Sequence, residues 1–146
     1  MTHRAETLLA TVVTKVTGLT TTGSNVYRGK LTPIPPTVNN ALKVYLGPDA
    51  HLADMSPALQ DWELTVYLDS YTRSPTLQID TQLNKIREEV TVALNADHTQ
   101  GLSFVVNTTE GDADEPELSG QAAAASGSMR MAWKFHYRRS RTNPGA

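Results

Sequence analysis

Cysteine is absent from the chain. That removes disulfides, thiolate zinc sites and cysteine nucleophiles together, and it suits a fold that tolerates a reducing compartment. Long apolar runs are absent too: none approaches the roughly 18 residues that a spanning helix requires. The opening residues Met1-Thr2-His3-Arg4-Ala5-Glu6-Thr7 hold no apolar signal region and no small-residue cleavage pattern. The expectation is a soluble protein, made in the cytoplasm, with no membrane partner. Catalytic signatures are also missing. There is neither a Walker pattern nor Gly-x-Gly-x-x-Gly, and no Gly-x-Ser-x-Gly elbow. His3, His51, His98 and His136 lack a second ligand at a recognised metal spacing. Asp112, Asp114, Glu115 and Glu117 lack EF-hand spacing, and Pro116 stiffens them, so they read as a solvated loop. The expectation is a non-enzyme with no catalytic, cofactor-binding or metal residues.

What is present is patterned charge and patterned hydrophobicity. The length of 146 residues fits one domain, large enough to bury about two-thirds of its unfolded surface. The net charge of −2 excludes nucleic-acid binding driven by overall charge. The distribution is less even. Thr109 to Glu117 holds five acids and no base, and Arg130 to Arg141 holds five bases and no acid. One reading is two solvated segments of opposite sign. The other is two complementary patches on a molecule that meets copies of itself or fixed partners. The second reading makes Glu110, Asp112, Asp114, Glu115, Glu117, Arg130, Lys134 and Arg138 candidate interface residues.

Ser128 to Arg139 carries the clearest pattern. Met129, Met131, Trp133, Phe135 and Tyr137 fall on one face of an extended strand, and Arg130, Lys134, His136 and Arg138 on the other. Trp133 and Trp62 sit on apolar strand faces, so core packing explains them. Leu59 to Tyr71 alternates in the same way, with Trp62, Leu64, Val66 and Leu68 inward. Shorter strands are predicted at 25–28, 41–46 and 102–107. Gly47-Pro48-Asp49 reads as a turn into a polar loop at 48–57. Helical spacing predicts a helix over 5–17, closed by Gly18. A second is predicted over 75–95, with Ser74 as N-cap and Pro75 at the first helical position. The Ala-rich segment 121–125 reads as a tether at its Gly and Ser ends with a centre able to form a short helical turn. The fold class is therefore α+β: a single domain over 1–139 with a mainly antiparallel twisted sheet and two main helices. A flexible basic tail is expected over 140–146.

These residues resemble a known family. Val26-Tyr27-Arg28-Gly29-Lys30 ends a short strand after an N-terminal helix. A Pro-containing loop leads to Val44-Tyr45-Leu46. Trp62-Glu63-Leu64-Thr65-Val66-Tyr67-Leu68 follows, then a helix, an acidic small-residue loop and a closing Tyr-containing strand. The order resembles the tail terminator, or tail completion, proteins of long-tailed phages, the lambda-type minor tail protein U family. It covers nearly all of 1–139 and rests on order and character. Asn40-Ala41-Leu42 departs from the Pro-Ala the family often places there. The resemblance implies a virion protein at the tail–head junction. It would form a hexameric ring that caps the tail tube, stops its polymerisation and presents a surface to the head-side connector. DNA would pass through the lumen only as cargo. Three other readings stand beside it: a different neck or head-completion component, a small nucleic-acid-binding module using the five bases, and a hydrolase with an unrecognised site.

Overall fold

A computed structural model describes residues 2–74, 78–119 and 125–146. The elements run α1 (Arg4–Val16), β1 (Val26–Arg28), β2 (Asn40–Asp54), β3 (Leu59–Ser74), α2 (Ile79–Asn95), β4 (Val105–Ala113), β5 (Glu117–Ser119) and β6 (Ala125–Ser140). They build one sheet in the order β1-β2-β3-β6-β4, with β5 pairing β6 beyond the end of β4. β1 and β2 are parallel; every other pairing is antiparallel. The architecture is the α+β domain with a mainly antiparallel sheet and two helices that the alternating and helical patterns predict.

The sheet is one-sided because its strands alternate. Leu64, Val66 and Leu68 of β3 meet Phe135, Trp133 and Met131 of β6 in direct register, all buried. Leu8, Leu9, Val12 and Val16 of α1 and Ile86, Val90 and Leu94 of α2 cover that face. Each such side chain contributes about 1.5–3 kcal/mol of burial. This offsets the weak helix propensity of a Thr- and Val-rich α1. His3 caps α1, its Nδ1 accepting the Ala5 N–H at 3.0 Å, and Gly18 follows the helix at φ +90°, where a Cβ would be strained.

Four predicted boundaries are corrected. Of the expected loop 48–57, only 55–57 lie between strands, since β2 continues to Asp54 along a partner that starts at Leu59. Gly47-Pro48 is a bulge inside the strand: Leu46 faces Val66 and Asp49 faces Leu64, one residue out of step. The second helix starts at Ile79, while Ser74 ends β3 and Gln78 is the N-cap, without a side-chain cap bond. The predicted first turn at 75–77 lies outside the described residues. β4 runs over 105–113 instead of 102–107, so Glu110 and Asp112 lie in a strand and Glu117 in β5, leaving only 114–116 as a connection. The backbone of β6 supplies ladder partners whatever the side-chain charge, so acidity did not prevent strand formation. Of the Ala-rich segment, 121–124 lie outside the described residues and Ala125 opens β6.

Residues 141–146 fold back on the domain. Arg4 N–H donates to Pro144 O at 2.9 Å and Arg141 N–H to Ala58 O at 2.9 Å.

Candidate interaction surface

The uncovered face of the sheet displays the polar residues of β2, β3 and β6 in rows. Lys43, Asp69 and Arg130 form one row, and Tyr45, Tyr67 and Ala132 the next. Thr65, Lys134 and Thr109 follow, then Glu63, His136 and Asn107, with Asp61 and Arg138 at the far end. Direct opposition on a sheet brings side chains into contact, so the register decides which charges pair.

Two of the candidate bases are paired within the chain. Arg138 Nε donates to Asp61 Oδ1 at 2.9 Å. His136 Nε2 lies 3.0 Å from Asp61 Oδ2, without hydrogen-bond geometry. Asp61 is only 5% exposed, and a buried carboxylate with an Arg beside it is one whose partner cannot be removed lightly. Arg130 reaches Asp69 Oδ1 with Nε at 3.4 Å and lies over the Tyr67 ring at 5.1 Å. Tyr45 donates to both Asp69 oxygens, each at 3.0 Å. Burial first, and then that bond, push the Tyr45 hydroxyl up to about 12. Lys134 is exposed, opposite Thr65 and Thr109, and forms no ion pair among the described residues.

The candidate acids lie along the outer margin of the sheet. Glu110 pairs with Arg87 of α2 at 3.5 Å. Asp112 is exposed on β4. Asp114, Glu115 and Glu117 surround a cleft of about 140 Å³ together with Asp69 and Arg130. The fold thus joins three candidate acids to one candidate base. Arg138 stands eight residues along β6, roughly 26 Å away at the strand rise, so the eight do not form one site. No group of three or more His, Asp or Glu is placed to hold a metal ion among the described residues.

Sequence reasoning missed the partners of the bases. Alternation alone puts Asp61 and Asp69 on the outer face of β3, but only the register shows that they meet Arg138 and Arg130. It also missed the far half of the β2–β3 hairpin. Leu52, Met55 and Leu59 are 48%, 54% and 44% exposed there. This arm is pinned at its root. Tyr137, fully buried, donates to Asp49 Oδ2 at 2.7 Å, and burial followed by that bond pushes the Tyr137 hydroxyl upward. Trp62 packs against His51, with ring centroids 5.0 Å apart and tilted, and under the Arg139 guanidinium at 4.3 Å. At the tip, His51 and Gln60 both approach Asp54 Oδ1 at 3.0 Å. The Gln60 and His51 bonds hold that carboxyl below the usual range.

No family model matches the chain, and no curated protein sequence matches it. Among solved structures, a chain of the virion of a native gene transfer agent particle shares the fold. Its TM-score is 0.50 at 15% sequence identity, over 93% of this chain and 88% of that one. At that identity the likeness is one of fold.

Proposed function

We propose that the chain is a virion structural protein, acting as a tail terminator at the tail–head junction. One observation carries this reading: the fold extends over 93% of the chain in common with a chain of a gene transfer agent virion. The order of elements that resembles the tail terminator family adds the finer role. In that role six copies form a ring on the finished tail tube. The ring stops tube growth, meets the head-side connector, and leaves a lumen for DNA. The chain works by surface recognition and performs no catalysis. The nucleic-acid reading loses two of its five bases to Asp69 and Asp61.

Electron microscopy of a knockout lysate tests the role. The expected outcome is tails of uncontrolled length that fail to join heads. Normal tails on full heads would overturn it, and labelling the protein elsewhere in the neck would assign it to another connector component.

A further inference from the structure

The charges of the chain are sorted by the margins of the sheet. Between Glu6 and Asp49 the sequence holds four bases, Lys15, Arg28, Lys30 and Lys43, and no acid. Between Arg87 and Arg130 it holds eight acids and no base. The fold carries Arg28 and Lys30 to one side of the sheet and Glu110 to Glu117 to the other. Lys15 lies near Asp97, Glu89 accepts the Thr21 N–H, and Lys43 stands inside the sheet opposite Asp69. β1 and the loop after it border the sheet beside β2, and β4 and β5 border it beside β6. Four strand spacings separate β1 from β4, about 19 Å at about 4.8 Å each. That is more than twice the Debye length of about 8 Å at physiological salt. Neither margin can neutralise the other within one subunit.

The side chains show the same separation. Arg28 pairs locally with Glu6, and Glu110 with Arg87. Lys30 and Lys43 form no ion pair among the described residues, and neither do Asp112, Asp114, Glu115 and Glu117. Each margin also holds a bare leucine: Leu31, 94% exposed, follows Lys30, and Leu118, 63% exposed, follows Glu117.

We infer that the two margins are the halves of one heterologous self-interface. The acidic β4–β5 margin of one copy docks against the basic β1 margin of the next, with Leu31 and Leu118 inside the contact. The occupant is a second copy because both complementary surfaces belong to one chain and lie on opposite sides of it. That is the condition for head-to-tail association, which closes into a ring or runs on as a filament. Backbone pairing is not the mode. β2 and β4, the long strands at the margins, each carry two register shifts, and Pro48 lacks a donor. Side-chain charge therefore sets orientation and encounter, and salt weakens it. The inference deepens the ring reading and rests on it only for closure.

Sedimentation velocity of the full chain tests it between about 0.05 M and about 0.5 M salt. Wild type is expected to assemble at the lower salt and to dissociate at the higher. Arg28→Glu with Lys30→Glu makes both margins acidic, and Asp114→Lys, Glu115→Lys and Glu117→Lys together give the second margin a net positive charge. Each multiple variant alone is expected to lose association by at least about tenfold. An equimolar mixture is expected to recover it, because the two reversed margins then match. Lys30→Glu alone, at an exposed position free of ion pairs among the described residues, repeats the test should the Arg28 change disturb folding. A wild type that stays monomeric at low salt would overturn the inference. So would a variant that assembles like wild type, or folded variants whose mixture stays apart. Normal tails in the knockout would leave this interface standing and remove only the tail role.

Discussion

Two buried hydroxyls carry more of the fold than their number suggests. Tyr137 is fully buried and its hydroxyl donates to the Asp49 carboxylate, whose other oxygen has no partner among the described residues. Tyr137→Phe keeps the packing and leaves that carboxylate without its donor. The expected loss is about 1–3 kcal/mol, read from urea unfolding of the two proteins side by side. Tyr45 acts through protonation. Its hydroxyl is raised from 10.0 to about 12 in the folded chain, so the folded state holds the proton more tightly than the unfolded state. Stability from this group is complete below the unfolded value and is lost as pH rises through the folded one. Tyr137 shifts in the same direction. Unfolding free energy is therefore expected to fall from about pH 10 to about pH 12. Tyr45→Phe should flatten part of that fall and remove one late component from the phenolate absorbance titration. An unchanged slope would contradict the assigned bond to Asp69.

At the scale of elements, the β2–β3 hairpin depends on one missing side chain. A Cβ at Gly47 would stand 2.7 Å from Tyr67 Cε2 and 3.0 Å from the Thr65 carbonyl oxygen. The ring could swing aside, but the backbone oxygen could not. Gly47→Ala is expected to destabilise by about 1–3 kcal/mol through overpacking, with a lowered thermal midpoint as the measurement. A neutral result would mean that the bulge rearranges freely. This hairpin also shows why part of the fold was not legible in the sequence. Gly47-Pro48-Asp49 has turn chemistry, and residues beyond it are exposed on both faces, so no alternation marks them as strand. β6 was legible for the opposite reason, since five large apolar side chains repeat on one face of it. The helices were legible at their cores and not at the start of α2. Ser74 and Pro75 have N-terminal chemistry, yet Ser74 ends β3 because its partner Ala125 continues the ladder.

For the whole molecule, the candidate surface was legible in composition and illegible in arrangement. The acidic and basic runs stand out in one dimension. That Arg130 and Arg138 answer to Asp69 and Asp61 depends on strand register, which pairs residues more than 60 positions apart. That β1 and β4 lie at opposite margins depends on topology. The same topology predicts how stability is distributed. β3 and β6 have neighbours on both sides, whereas β1 and β5 are three-residue strands. Native-state hydrogen exchange is expected to be slowest in the β3–β6 pairing from Leu64 to Leu68 and Met131 to Phe135. It should be fastest in β1 and β5. Equal protection at the margins would show that the free chain is already covered there.

The register shifts in β2 and β4 bear on what happens when this chain is abundant. A bare, even strand invites copy after copy to stack on it, and such growth ends in fibrils. Here an arriving strand would lose step at Gly47-Pro48, again near His51, and on the other side between Glu110 and Ala113. Through the proposed interface, crowded copies would meet by reversible charge contacts without being drawn into an amyloid template, and a surplus of chains would stay available for assembly.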